Sequence, residues 1–357
     1  MLQKKNVVSA KYESRGQCAK YVIIYCQLTL IQLQMKQVNK STGKPQAKIY
    51  VSILILLMLL PAMVVKAQFP TLPDGWSDAY AYTNGIRMHY YHAKPAPGKP
   101  VIVMVHGYTD IGLSWTTLTL KLQDAYDIYM IDSRGHGLTD PFTPTDNGQT
   151  MIKDAVDFVK AMKFEKPILM GHSMGAATVM RVGASYPDLA KAIIMLDPGL
   201  GNRPPVAAAS TAASGGQPAA APARRPNMFK SPDSLVMGNN TPFDQVVAAG
   251  HRGNPLWDKV DIYYWAFSKK QYHGPYTPEQ AQSMTGTMST ADALAKITVP
   301  ALILKADAKP EMRKANEEAA RVMQKGKLIH IDGAGHNLHH DKLDKTVEVL
   351  NEFLKSL

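Results

Sequence analysis

The chain has 357 residues, 45% of them hydrophobic and 19% charged. That excludes a disordered or collagen-like chain and is long enough for one large domain or two ordinary ones. Lys and Arg number 40 against 29 Asp and Glu, a formal +11, yet ten of the basic residues and a single acid, Glu13, fall within residues 1–67, so the remainder carries only +2. Neither a nucleic acid nor an anionic membrane is therefore an expected partner of that remainder. Both cysteines, Cys18 and Cys26, also lie in this leader, which leaves no disulfide framework and no Cys-ligated zinc site for the rest.

From Met35 onward the leader reads as a secretory signal peptide. Lys36, Lys40, Lys44 and Lys48 form a basic region, Ile49 to Leu60 an apolar one, and Val65-Lys66-Ala67 a small-residue cleavage pattern. Translation is expected to start at Met35 and cleavage to follow Ala67, which sends the product to a periplasm or the exterior. The alternative is an uncleaved anchor over residues 49–65, at the short limit for a span. No membrane contact is expected beyond the leader.

Tyr80 and Tyr82, then Asn84-Gly85, then the alternation of Ile86, Met88 and Tyr90 with Arg87 and His89 predict a hairpin from Asp78 to Ala93. Short apolar runs separated by helical patterns follow. Strands are predicted at Val101–Val105, Ile128–Ile131, Pro167–Met170, Ala192–Leu196, Ala301–Leu304 and Leu328–Ile331. Helices are predicted at Leu113–Ala125, Met151–Met162, Met174–Ser185, Glu311–Met323 and Lys342–Leu354. The alternation implies an α/β fold whose mostly parallel sheet carries helices on both faces. Between Gly199 and Ile297 it is interrupted, first by an Ala/Pro-rich stretch, 204–226, that reads as a surface loop. Then come Trp257, Tyr263, Tyr264, Trp265, Phe267, Tyr272 and Tyr276, which read as a helical insertion with aromatics facing something apolar.

Gly171-His172-Ser173-Met174-Gly175 lies between a predicted strand and a predicted helix. In that context G-x-S-x-G is a nucleophile elbow: glycines permit a tight turn that lifts the Ser173 hydroxyl above the sheet. Ser173 needs a base. His336, in Gly333-Ala334-Gly335-His336 just past the last strand, is the candidate. Zinc held by His336 and His340 is conceivable from their spacing, but neither an HExxH pattern nor a third ligand accompanies them. His339 and His340 are expected to be exposed or capping residues. Acyl chemistry also needs donors for an oxyanion. His106-Gly107-Tyr108 follows the Val101–Val105 strand, so the Tyr108 and Met174 backbone N–H groups are the candidates, with His106 bracing the loop. Asp132-Ser133-Arg134-Gly135-His136-Gly137 is expected to be a structural turn.

With HGY at 106–108, DSRGHG at 132–137, GHSMG at 171–175 and GAGH at 333–336 in this order, the chain from Asp78 to Leu357 resembles the α/β-hydrolase superfamily. The resemblance is to its esterase, lipase and lactonase group, which also holds epoxide hydrolases and haloalkane dehalogenases. Those two use an aspartate nucleophile where Ser173 stands here. It implies a leader over 1–67, a hydrolase core over 68–198 and 298–357, and a cap over 199–297 between the family's sixth and seventh strands. The family commonly takes its triad acid from after strand seven, and Lys309 occupies that position, with Asp307 two residues early. Another family arrangement takes the acid from after strand six, where Asp197 stands. Asp197 is the favoured acid and Asp307 the alternative.

The expected function is a secreted serine hydrolase that cleaves small-molecule carboxylic esters or lactones through an acyl-enzyme on Ser173, with no metal or organic cofactor. The alternatives are a cofactor-free C–C hydrolase or perhydrolase on the same fold, or a binding protein that has lost catalysis.

Overall fold

The computed structural model describes residues 71–201, 235 and 238–357, apart from 276, 278, 279, 282, 283 and 285. The leader with its start at Met35, its cleavage after Ala67 and its apolar run 49–65, the loop 204–226, and Tyr276 all lie outside the described residues.

Eight strands form one sheet in the order β1-β2-β4-β3-β5-β6-β7-β8. β1 (Ser77–Thr83) and β2 (Ile86–His92) pair antiparallel from Ser77↔His92 to Thr83↔Ile86. The Asn84-Gly85 turn makes this register possible: both residues take positive φ, +44° and +79°, the hand that matches strand twist. β2 also runs antiparallel to β4 (Asp127–Ile131). From there β3 (Val101–Val105), β5 (Ile168–His172), β6 (Ala192–Leu196), β7 (Ala301–Ala306) and β8 (Gly326–Ile331) continue the sheet in parallel.

The central strands are apolar on both faces because both are covered. One layer holds Ile102, Met104, Met130, Met170, Ile194 and Leu304, packed by α1 (Thr116–Leu122), α8 (Leu338–Asp341) and α9 (Leu343–Lys355). The opposite layer holds Val103, Val105, Ile131, Leu169, Met195 and Ile303, packed by α2 (Thr150–Ala161) and α3 (Met174–Ser185). The alternation of neighbouring residues between the two layers is the two-residue period of a strand. The single helix predicted over 113–125 is a 3₁₀ turn, Gly112–Trp115, followed by the shorter α1.

Between β6 and β7 the chain forms α4 (Phe243–Gly253), α5 (Lys259–Gln271) and α6 (Thr290–Lys296); α7 (Pro310–Ala320) follows β7. Asp258 caps α5 by accepting from Val260 N–H, and Ser289 caps α6 by accepting from Asp292 N–H. The two ends of this stretch differ. Tyr264 and Phe267 of α5 join the first core layer, whereas Ala293 and Leu294 of α6 join the second.

Candidate active site

β5 ends at His172, and the chain turns at once into α3. Ser173 sits at the corner with φ +51° and ψ −108°, a conformation that L residues rarely adopt. Two glycines make the corner sterically possible. A Cβ on Gly171 would lie 2.2 Å from Gly175 O, and one on Gly175 would lie 2.0 Å from Val105 O. Ser173 N–H donates to Leu196 O at 2.9 Å, which fastens the corner to the end of β6. Met174 N–H is the first amide of α3, one of the four that a helix leaves without an acceptor of its own. The Met174 side chain is buried against Phe142, Met151 and Met284.

One strand over, β6 is followed at once by Asp197, which also has positive φ, +44°, and whose N–H donates to Leu304 O at 2.7 Å. His336 arrives on the loop after β8. Its Nε2 is 2.9 Å from Ser173 Oγ and its Nδ1 is 2.6 Å from Asp197 Oδ2. Burial pushes the Asp197 carboxyl up. The bond from His336, the ammonium of Lys305 and the N–H of Ala306 outweigh that effect and hold it at about 2. Asp197 is thus an anion throughout the neutral range, suited to hold His336 with its Nδ1 protonated and its Nε2 turned to the serine.

Asp307 is not in this chain of bonds. Its Oδ1 takes the guanidinium of Arg313 and the N–H of Ala308, and its Oδ2 takes the N–H of Gly333. Arg313 foremost, with Gly333 N–H, holds its carboxyl at about 2. The alternative acid is therefore a brace for the loop that carries His336, and the reason is local: Arg313, one turn into α7, captures it. The same loop is held by Asp341, which accepts from Gly335 N–H through Oδ2 and from Trp257 Nε1–H through Oδ1. It is also held by His172, whose Nε2–H donates to His336 O at 2.9 Å. Burial keeps His172 down at about 4, so its ring is neutral and serves as a strut.

The His106-Gly107-Tyr108 segment after β3 is similarly braced. His106 Nδ1–H donates to Gly107 O, and its Nε2 accepts from Ser133 N–H. His136 accepts from Thr109 N–H, so the DSRGHG turn also supports this segment. Lys269 of α5 reaches Thr109 O, Thr109 Oγ1 and Asp110 Oδ1. A Cβ on Gly107 would lie 2.7 Å from His172 Nδ1, so the segment packs directly on the strut. Tyr108, Asp110, Ser173, Trp265, Lys269 and His336 surround a cavity of about 220 Å³.

One expectation is corrected here. His339 and His340 are buried, 2% and 8% exposed, not surface residues. His339 packs between Trp115 and His172, and His340 Nδ1 lies 2.9 Å from Asp261 of α5. His336 and His340 thus face different partners, so the spacing that suggested a shared zinc does not bring them together. The insertion aromatics do face something apolar, and for most of them it is the protein's own core. Trp257, Tyr264 and Phe267 are buried, and Tyr272 Oη–H donates to Tyr108 Oη at 2.5 Å. Trp265 is the one of them that borders the cavity among the described residues. The sequence singled out neither Lys305, Asp341 nor Lys269, and His136 only as part of a structural turn. Of the first three, Lys305 alone left a trace there, as a charge at the C-terminal end of an apolar strand.

A model of the Alpha/beta hydrolase family matches residues 102–349, and the chain belongs to that family. It is similar to Epoxide hydrolase 1 of Caenorhabditis elegans, 26% identical over 127 residues, or 35% of this chain and 31% of that protein. The chain thus spans about a third of the length of the first curated relatives it matches. Similarity to the AB hydrolase superfamily protein YfhM of Bacillus subtilis is lower in identity but longer: 25% over 291 residues, covering 79% of this chain and 99% of that one. Among solved structures, N-formylmaleamic acid deformylase from Pseudomonas putida S16 superposes with a TM-score of 0.58 at 20% identity, over 77% of this chain and 100% of that one. That likeness is one of fold.

Proposed function

We propose that this hydrolase cleaves carboxylic esters, lactones included, through an acyl-enzyme on Ser173. The observation that carries the reading is the continuous chain from Ser173 Oγ to His336 to Asp197, 2.9 and 2.6 Å long. His336 Nε2 takes the Ser173 proton as Oγ bonds to the carbonyl carbon. The carbonyl oxygen becomes an anion facing the Tyr108 and Met174 amides, the donors that a strand-to-helix elbow and the loop after β3 supply. The C–O bond to the alcohol then breaks, and the alcohol leaves with the proton from His336. A water, deprotonated by the same ring, releases the acid and restores Ser173. Asp197 stays ionised and stabilises the imidazolium.

An epoxide-opening reading, suggested by the name of the worm relative, is weaker because a serine stands where that group of the fold keeps an aspartate. A non-catalytic reading would need a broken triad. Export of the chain is a further proposal, resting on the N-terminal sequence pattern; N-terminal sequencing of the secreted product should read from Gln68.

The test is labelling of the purified protein with a fluorophosphonate, followed by turnover of short-chain nitrophenyl esters and lactones. The expected result is labelling and turnover in the wild type and neither in Ser173→Ala. A folded wild type that does not label, or a Ser173→Ala variant that turns over esters as fast, would overturn the reading.

A further inference from the structure

We propose that Lys305 is a positioning residue for the reaction: its ammonium shares the Asp197 carboxylate with His336 and thereby sets the pH at which His336 is free to act as base. The proposal rests on the ester-hydrolase reading above and specifies the control of that same site.

The sheet register brings the three groups together. Met195 of β6 pairs with Ile303 of β7, and both side chains point into the same core layer. Two residues further along each strand come Asp197 and Lys305. Lys305 Nζ lies 2.5 Å from Asp197 Oδ1 and also donates to Pro198 O at 2.8 Å, while His336 Nδ1 holds the other oxygen, Oδ2. The two side chains of the ion pair are 13% and 11% exposed, so little water screens it. One carboxylate therefore serves two partners, an ammonium and an imidazole, on opposite oxygens. Whatever charge Lys305 neutralises is not offered to the imidazolium.

Other ionisable groups near the triad do not duplicate this charge. His172 packs on His336 from β5, with His339 behind it, and burial keeps both rings below the usual histidine range. His330 of β8 is the register partner of Lys305 and is also held down, by burial and then by Arg313 of α7. Asp110 and Lys269 border the cavity and pair with each other. Asp307 and Asp332 are taken by Arg313, and His340 by Asp261.

Lys305 and His336 meet opposite oxygens of one carboxylate, and half-exposed His336 keeps the effective dielectric high, so removing the lysine charge should favour the imidazolium by about one pH unit. The experiment is a pH–rate profile of kcat/KM on nitrophenyl acetate for the wild type, Lys305→Met, Lys305→Gln and Lys305→Arg. NMR titration of the His336 Cε1 proton, assigned with His336→Gln, runs alongside. In Lys305→Met and Lys305→Gln the acid limb and the NMR midpoint should move up together by about one unit. Activity would then fall up to about tenfold on the acid side and recover on the alkaline side. Lys305→Arg should restore the wild-type profile. Unmoved midpoints in folded Met and Gln variants, or a Gln variant that behaves as wild type, would overturn the proposal, the second by making the hydrogen bond and not the charge responsible. The NMR arm separates the two readings: a wild type with no Ser173-dependent turnover would sink the ester hydrolase, and the His336 titration would still decide the part played by Lys305.

Discussion

Gly175→Ala is the substitution whose cost the structure states most directly. The new Cβ would lie 2.0 Å from Val105 O, 2.6 Å from Val105 C and 2.7 Å from His106 O. Ordinary contact begins near 3.4 Å, so the start of α3 and the end of β3 must part by 3.4 − 2.0, or 1.4 Å. All three atoms are backbone, and no flexible side chain can yield in their place. Overpacking of this kind costs about 1–3 kcal/mol, which for a domain of this size lowers Tm by roughly 2–10 °C. The larger effect is on geometry. The displaced atoms adjoin Ser173 and Met174 on one side and the His106-Gly107-Tyr108 segment on the other, so the proposed nucleophile separates from the Tyr108 amide. A misplacement of that order slows a reaction by about a hundredfold. The assay is the rate of fluorophosphonate labelling beside a thermal melt, with Gly253→Ala as control, because a Cβ there meets nothing within 4 Å. A Gly175→Ala protein that labels within about threefold of the wild type would refute the argument from backbone contact.

Asp197→Asn should lower kcat by roughly a thousandfold or more while leaving the fold intact, because the amide no longer selects the Nδ1-protonated ring or stabilises the imidazolium. Asp307→Asn should cost no more than about threefold, and comparable losses in steady-state kinetics would contradict the division of labour between the two acids. His89 offers a test of stability against pH. It is buried on β2 with Asp132 on Nδ1 at 2.8 Å and Asp78 on Nε2 at 3.1 Å. Burial lowers its pKa, but the two carboxylates outweigh burial and raise it. A raised folded pKa means that the contribution is complete below the free-histidine value and is lost as pH rises through the folded one. The Tm gap between wild type and His89→Gln should therefore be wider at mildly acidic pH than at alkaline pH, and a gap that widens on the alkaline side would reverse the assignment.

The strands were legible because each central one is a short run of apolar residues, and a sheet covered on both faces demands such runs. Ser173 was legible because two close backbone approaches, at Gly171 and Gly175, both require the absence of a side chain. The acid was not. Asp197 and Asp307 each stand just past a strand, and nothing local distinguishes them; the difference is that Arg313 captures one, while the register of β6 against β7 presents the other to a histidine 139 residues away. Lys305 showed only as a charge at the end of an apolar strand, since its partner is fixed by long-range register. His339 and His340 misled because the four residues of α8 are too few to show a period. The aromatics of α5 could not reveal whether they meet a substrate or a core, since both are apolar.

Ser173 and Asp197 are each the first residue past a strand, and each donates its N–H to a carbonyl of the neighbouring strand, Leu196 O of β6 and Leu304 O of β7. Two of the three triad members therefore inherit their spacing from the sheet and can drift only if the sheet does. His336 alone rides on a loop, and the ties that hold that loop come from Asp307, His172 and Asp341. The slack in the catalytic array is concentrated in one member. Mild heat or denaturant should accordingly silence turnover while the sheet is still whole, with the serine and its acid waiting in register for the histidine to return.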